Sequence, residues 1–195
     1  MPIQSSHRPT VAEINLDNLA FNYRSSRSFI GNEIRHMAVV KANAYGHGSV
    51  ECARRLEREN IAWFGVALPE EGVELRNAGI NTQILCLGSF WLGQEDLVLE
   101  NRITPVIYQI DRAKSMNAAA RNRGIVADIH VKIDTGMGRI GVRFDEVAQF
   151  SAALKRLTNL HLDGLMTHFA SADDPEQNAF TEFQVQRFYA ALDTF

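Results

Sequence analysis

The chain lacks the features that mark secreted and membrane-bound proteins. It has only two cysteines, Cys52 and Cys86, each among apolar residues, so we expect buried reduced thiols rather than a disulfide. No uncharged apolar run approaches the roughly 20 residues that a membrane helix needs. The opening residues, "MPIQSSHRPT", lack the basic and apolar regions of a secretory signal. These absences predict a cytoplasmic protein that does not enter membranes.

An excess of charge of one sign is also missing. The chain has 20 Lys and Arg against 23 Asp and Glu, a formal net charge of −3, and the two signs are interspersed. Nucleic acid is therefore not an expected partner, because a polyanion selects a basic patch. No histidine or cysteine spacing matches a metal site, so no metal is expected either.

From His36 onward, short apolar runs alternate with longer amphipathic segments, which is the pattern of wound βα units. Before them, residues 10–16 alternate apolar and polar and predict a half-buried strand. Asp17 is then expected to cap a helix that ends at Gly31. The later strands are predicted at 37–44, 62–68, 83–89, 103–108, 127–134 and 160–170, and the helices at 49–59, 69–78, 93–101, 110–122, 143–158 and 175–195.

These segments make six βα units. Parallel strands joined by helices either form an open sheet or close into a barrel. A closed TIM barrel has eight units and about 250 residues. The sequence therefore predicts an α/β fold that is either an open sheet or a (β/α)8-type barrel incomplete in this chain.

Lys41 ends the apolar run "AVVKANAY" and is predicted to share a strand face with Val39. The C-terminal ends of such strands are where α/β folds bind ligands. Burial there would disfavour the ammonium form and leave a neutral amine that can attack a carbonyl. The alternative is a lysine that ends a strand and reaches solvent. Tyr45 and the flanking glycines, which permit a tight turn near a ligand, favour a site.

The predicted strand 127–134 has an apolar face and a polar face, and the polar face carries His130, Lys132 and Asp134. Buried charges need partners, so a Lys132–Asp134 pair is the simplest arrangement. The glycine-rich turn that follows carries Arg139, whose guanidinium suits a carboxylate or phenolate, although a solvent-facing arginine is as common. His168, at the end of the sixth predicted strand, is either a core or rim residue or a site residue.

The motifs "VVKANAYGHG", "VKIDTGMGRIG" and "MTHFAS" together closely resemble the alanine racemase family, and the similarity spans nearly the whole chain. The resemblance implies a fold type III barrel that binds pyridoxal 5′-phosphate (PLP). Lys41 matches the lysine that carries the cofactor and exchanges the α-proton on the D-alanine side. Tyr45 matches a tyrosine that contacts the cofactor phosphate, and Leu87 falls where the family lines the cofactor pocket.

The resemblance assigns three further residues. Arg139 matches an arginine near the phenolic oxygen of the cofactor and the substrate carboxylate. Lys132 matches a lysine that is commonly carbamylated and holds that arginine, and His168 matches a histidine that braces a second arginine. The implied enzyme is a homodimeric isomerase that interconverts L- and D-alanine and supplies D-alanine for peptidoglycan.

The resemblance also implies a longer protein. Residues 1–34 would lead, as a strand and a helix, into a partial PLP-binding barrel at 35–195. The family's last barrel strands, second arginine and C-terminal β domain, which carries the opposing catalytic tyrosine, have no counterpart here. We therefore expect an N-terminal portion that is inactive or weakly active alone. Open alternatives are a racemase of another small amino acid such as serine, a non-catalytic PLP-binding barrel, and a cofactor-free Schiff-base lyase or aldolase.

Overall fold

The computed structural model describes residues 10–31 and 33–195. Six parallel strands alternate with helices, and a short seventh strand pairs with the end of β5. The strands are β1 Met37–Val39, β2 Trp63–Val66, β3 Gln83–Cys86, β4 Ile103–Ile107, β5 Ala127–Asp134, β6 Val142–Arg143 and β7 Leu160–Met166. The helices are α1 Leu16–Ile30, α2 Ser49–Glu57, α3 Pro69–Asn77, α4 Glu95–Glu100, α5 Ile110–Asn122, α6 Val147–Leu154 and α7 Asn178–Leu192, with 3₁₀ turns at Phe144–Glu146 and Pro175–Gln177.

The sheet follows the order β1-β2-β3-β4-β5-β7, and every pairing in it is parallel. This confirms the predicted wound βα architecture. Within the described part of the chain, β1 and β7 each pair on one side only, so the sheet is an incomplete barrel. The two-residue β6 was not predicted, because so short a segment has no periodicity to detect.

Side chains alternate between the two faces of the sheet, and each face packs its own core. The outer face, with Phe64, Ile84 and Ile129 fully buried, packs in one cluster with helix residues. The inner face has a smaller cluster of Trp63, Leu85 and Val106. The helices thus cover one side, and the other side forms the barrel interior.

Strand β5 has the bounds that the sequence predicts, and its two faces differ as expected. Its apolar residues are buried toward the helices, while His130 and Lys132 are on the inner face. The His130 ring lies 5.3 Å from the Trp63 ring, and its Nε2 is 3.1 Å from Asp163 Oδ2. Polar groups in the interior are therefore partly paired by neighbouring strands.

The strand predicted at 10–16 is wrong. Residues 10–15 are exposed and adopt no regular structure, and no strand lies beside them within the described ranges. An alternating pattern cannot form a strand without a partner for its backbone groups. The predicted cap is also wrong, because Asn15 rather than Asp17 caps α1, its Oδ1 accepting from the N–H groups of Asp17 and Asn18. Gly31, with φ of 106°, ends the helix as predicted.

The sequence of helix α7 predicts a buried stripe of Phe180, Phe183, Phe188, Leu192 and Phe195, but the buried face differs from this stripe. Phe183 and Leu192 are exposed, whereas Gln184 and Ala191 are buried. A polar network beneath the helix, described below, decides which face turns inward. The sequence also predicts Asp174 as the N-cap before Pro175. This is confirmed, because Asp174 Oδ1 accepts a hydrogen bond from the Glu176 N–H at the start of the Pro175–Gln177 turn.

The two cysteines are buried free thiols, as the sequence indicates. Burial raises the pKa of the Cys86 thiol to about 12, so this residue remains protonated at neutral pH. Across residues 10–31 and 33–195, none of the helices combines the length and the apolar character that crossing a bilayer requires.

Candidate active site

Lys41 lies in a single tight turn rather than in a strand. Strand β1 ends at Val39, and Lys41–Tyr45 form the turn that follows, here called the lysine turn. The strand predicted at 37–44 is therefore too long. Lys41 still lies at the C-terminal end of β1, and its half-buried side chain places Nζ 6.0 Å from the centre of the Tyr45 ring.

The lysine turn has the left-handed conformation, which the alternation of polar residues and alanines in its sequence does not reveal. Ala42, Asn43, Ala44 and Tyr45 all have φ between 52° and 54°. This conformation costs roughly 1–2 kcal/mol per non-glycine residue, so surrounding contacts must hold it. The Ala44 N–H donates to the Val40 carbonyl, at 2.8 Å.

Three side-chain contacts connect the lysine turn to the rest of the domain. The Ala42 N–H donates to Glu71 Oε1 at 2.7 Å, and the Ser49 N–H donates to Asn43 Oδ1 at 2.8 Å. The His47 Nδ1 lies 2.8 Å from the Ala44 carbonyl oxygen. The turn is therefore fixed to α3 on one side and to the start of α2 on the other.

The other residues predicted for the site also follow the C-terminal ends of strands. Leu87 comes directly after β3, Arg139 follows β5, and His168 follows β7. Because parallel strands end at the same edge of a sheet, these residues share the barrel mouth with Lys41. Leu87 lies over Gly65 on the inner face, where a Cβ on that glycine would be 3.2 Å from Leu87 Cδ1. Arg139, His168 and Tyr45 are exposed at the rim.

Two lysines, an arginine and a histidine lie at or just beyond the C-terminal ends of strands at this mouth. Partial loss of hydration, followed by the charges of Arg139, Lys132 and Lys41, lowers the pKa of the His168 imidazole. Burial and then Arg139 lower the pKa of Lys132, and Lys41 adds a smaller effect. Such effects require short separations. We call Lys41, Lys132, Arg139 and His168 the cation cluster.

The predicted Lys132–Asp134 pair is wrong. Asp134 accepts hydrogen bonds from the Gly136 and Gly138 N–H groups, at 3.0 Å and 3.1 Å, and so holds the turn that carries Arg139. Its charge opposes the lowering of the Lys132 pKa, but no carboxylate of the described residues forms an ion pair with that amine. Lys132, only 4% exposed, is thus a buried amine beside other cations. Residues 136–141 match the spacing G-x-G-x-x-G, but they lead into β6 and not into a helix.

A buried amide supports the far side of the mouth. Gln184 of α7 is completely buried, and its Nε2 donates to Thr135 Oγ1 and to the His168 carbonyl, both at 3.2 Å. Its Oε1 accepts from the Ala170 N–H at 3.0 Å. Gln184 thereby joins the end of β5 to the loop after β7.

Sequence reasoning missed Glu71 and Gln184. Each lies on a helix, where a glutamate in the first turn or a glutamine at mid-helix is ordinary. Their contacts are with backbone groups distant in sequence, which no local pattern reports. The only available signal was the "PEE" start of α3, which indicates a helix start but not its partner.

Fold and site together define a class of protein: a parallel β/α-barrel domain that gathers lysine, arginine and histidine at its mouth, where an anionic ligand would bind. A profile of the alanine racemase N-terminal domain matches residues 14–195. The chain belongs to this family, as its motifs predicted.

Individual relatives agree with the profile. The chain is 41% identical over 186 residues to alanine racemase of Halothermothrix orenii, covering 95% of this chain and 49% of that protein. It is 42% identical over 190 residues to the alanine racemase of Geobacter sp. strain M21, covering 95% of this chain and 50% of that protein. The chain therefore spans about half the length of the curated relatives it matches.

Solved structures match the fold over the same half. Alanine racemase of Clostridium difficile 630, in complex with cycloserine, superimposes with a TM-score of 0.91 at 39% identity, covering 97% of this chain and 52% of that one. The Bacillus anthracis alanine racemase with bound L-Ala-P gives 0.86 at 32% identity, covering 97% of this chain and 49% of that one. These matches confirm the partial TIM-type barrel.

Proposed function

We propose that this chain is the PLP-binding barrel portion of an alanine racemase, with residues 35–195 as the partial barrel and residues 1–34 leading into it. The observation that carries the proposal is the cation cluster at the barrel mouth, where Lys41, Arg139 and His168 follow the C-terminal ends of β1, β5 and β7 and Lys132 is buried near the end of β5. The names of the relatives, all alanine racemases, support alanine as the substrate over serine or another small amino acid. A homodimer and a role in supplying D-alanine for peptidoglycan are parts of the same proposal.

The residues at the mouth fit PLP. The cofactor and an amino-acid substrate bring a phosphate, a phenolate and a carboxylate, and the mouth offers four basic residues. The carboxylates of Asp134 and Glu71 near them already accept hydrogen bonds from backbone N–H groups. Lys41 would hold the cofactor through Nζ, with Leu87 against its ring. Tyr45 would contact the phosphate, and Arg139 would face the phenolic oxygen and the substrate carboxylate. His168 would brace the second arginine that the family carries at this site.

Each residue then has a defined part in racemisation. PLP supplies an electron sink that acidifies the Cα–H of the amino acid it carries. Once the amine of the amino acid has displaced Lys41 from the cofactor, the free Lys41 Nζ would remove and return that proton on the D-alanine face. Arg139 would orient the carboxylate so that the proton lies within reach. Inversion needs a second base on the opposite face, which we propose lies outside residues 1–195.

Lys132 is proposed to carry a carbamate. Its pKa is lowered, first by burial and then by Arg139, so more of the amine is neutral and able to attack CO₂. The attack forms an N–C bond, and the nitrogen releases a proton. The product is an anion next to Arg139, which removes the unfavourable lysine–arginine repulsion.

Reductive labelling tests the assignment of Lys41. The chain has four lysines, Lys41, Lys114, Lys132 and Lys155, so a borohydride-stable pyridoxyl adduct can be located by mass spectrometry. We expect PLP to label Lys41 in preference to the exposed Lys114, and Lys41→Ala to lose that label. Preferential labelling of Lys114 or Lys155 would contradict the proposal.

Chirally resolved exchange in D₂O tests the chemistry on the same PLP-loaded chain. We expect deuterium to enter D-alanine at Cα with little conversion between enantiomers, since one base gives exchange without efficient inversion. Rapid conversion of L- to D-alanine by residues 1–195 would contradict the external second base. Labelling without any exchange would favour a non-catalytic PLP-binding barrel.

A further inference from the structure

We propose that Glu71 is the positioning residue for Lys41, acting through the lysine turn and never touching the ligand itself. The inference rests on the proposed function for the identity of the ligand. The claim that the Glu71 carboxylate holds Lys41 at the barrel mouth can be tested without any ligand.

Glu71 uses both carboxylate oxygens to join the ends of two neighbouring strands. Oε1 accepts from the Ala42 N–H at 2.7 Å, on the residue directly after Lys41. Oε2 accepts from the Ala67 N–H at 2.6 Å and from the Leu68 N–H at 3.2 Å, after the end of β2. The half-buried side chain therefore fixes the lysine turn relative to the start of α3.

The Ala42 N–H depends on this carboxylate. The first N–H groups of a helical turn have no acceptor within the turn, and this applies to a left-handed turn as well. Ala42 has φ of 52°, a conformation that an alanine adopts only when its surroundings impose it. A charged acceptor forms the stronger hydrogen bond and so supplies that constraint.

Loss of this contact would redirect Lys41. If Ala42 relaxes to negative φ, the peptide between residues 41 and 42 rotates, and the direction of the Lys41 side chain changes with it. The amine would then leave the cation cluster and become accessible to water. Glutamine at position 71 cannot substitute, because it has one acceptor oxygen and its NH₂ group would oppose an N–H donor.

The test compares Glu71→Gln with Glu70→Gln, which changes the adjacent and exposed glutamate of the same helix. We expect E71Q to slow pyridoxylation of Lys41 about tenfold or more, as misplacement of a reacting group does. Labelling of Lys114 in the same sample should be unchanged. E70Q should label as the unmodified chain does.

Trace acetylation with acetic anhydride gives a second readout that needs no PLP. In E71Q, acetylation of Lys41 should rise severalfold toward that of Lys114, while the buried Lys132 stays unreactive. Opposite changes in the two reactions at Lys41 distinguish a displaced amine from an unfolded chain, because unfolding would also expose Lys132.

Ala42→Gly provides the rescue, because glycine adopts positive φ without a holding contact. We expect the E71Q/A42G double variant to regain a measurable part of the Lys41 pyridoxylation rate. Equal rates of both reactions in E71Q and the unmodified chain would overturn the positioning role. If the unmodified chain is not pyridoxylated at Lys41, the proposed function fails, and the acetylation comparison still decides the role of Glu71.

Discussion

Lys132 shows how one buried side chain couples the site to the stability of the fold. Its amine is 4% exposed and lies beside Arg139, and both effects lower its pKa below the ordinary value of 10.5. Between the lowered pKa and 10.5, the unfolded chain binds more protons than the folded chain. The contribution of Lys132 to the free energy of unfolding should therefore rise with pH across this window and level off above it.

We expect Lys132→Met to remove much of this alkaline dependence. In CO₂-free buffer, the difference in urea midpoint between the unmodified chain and K132M should grow as the pH rises toward 10.5, because the buried Cys52 and Cys86 thiols, whose raised pKa values give the opposite slope, affect both chains alike. Lys114→Met, at an exposed position, is the matched control and should keep the full slope. Identical slopes in K132M and K114M would show that Lys132 does not titrate as its surroundings indicate.

Adding bicarbonate tests whether Lys132 carries a carbamate or remains an unmodified amine. With ¹³C-bicarbonate near neutral pH, we expect a carbamate resonance in NMR spectra of the unmodified chain and none in K132M. A carbamate on Lys132 would be an anion facing Arg139, so bicarbonate should also raise the urea midpoint of the unmodified chain and not that of K132M. A carbamate resonance that persists in K132M would show that another amine carries the carbamate.

At the scale of single elements, prediction from sequence succeeded where local pattern and tertiary contacts agree. Strand β5 was predicted to the residue because Ile129, Val131 and Ile133 alternate with polar residues that the interior accepts. The strand before Lys41 was predicted too long because polar residues alternate with alanines in "KANAY" as they do in a strand, whereas the conformation of this segment is imposed by Glu71 from another element. The motifs predicted which residues lie at the barrel mouth, but they did not predict Glu71 and Gln184, which hold the neighbouring backbone in place.

Helix α7 illustrates the same limit, because a polar residue selects its buried face. Gln184 makes three hydrogen bonds to groups near the ends of β5 and β7. An apolar residue of similar size at this position would fit the space but leave the His168 carbonyl and the Ala170 N–H unpaired. Each buried unpaired group costs about 1–3 kcal/mol.

We therefore expect Gln184→Leu to lower the free energy of unfolding by about 2–4 kcal/mol, measured by urea denaturation. Gln186→Leu, on the exposed side of the same helix, is the control and should change it by less than about 0.5 kcal/mol. Equal effects of the two substitutions would mean that the α7 contacts at residue 184 do not anchor the mouth.

At the scale of the whole molecule, the described sheet is most strongly held at its centre and least at its edges. Strand β5 pairs on both sides, and β2 is buried along its whole length. Strands β1 and β7 each pair on one side within the described residues, and their residues are only partly buried. An edge strand unfolds locally at low free-energy cost. Its unpaired backbone N–H and C=O groups can also form hydrogen bonds with a strand of another chain.

Hydrogen exchange at two protein concentrations distinguishes these two consequences. In dilute solution, we expect amides of β1 and β7 to exchange at least about tenfold faster than those of β4 and β5, since local opening costs least at an edge. If edges pair between chains at high concentration, protection should increase in β1 or β7 while β4 and β5 stay unchanged. Uniform protection across all strands in dilute solution would contradict an open sheet, because the edge strands would then be held as firmly as the centre. The edge strand β1 leads directly into Lys41, so any contact that protects it would also order the lysine turn.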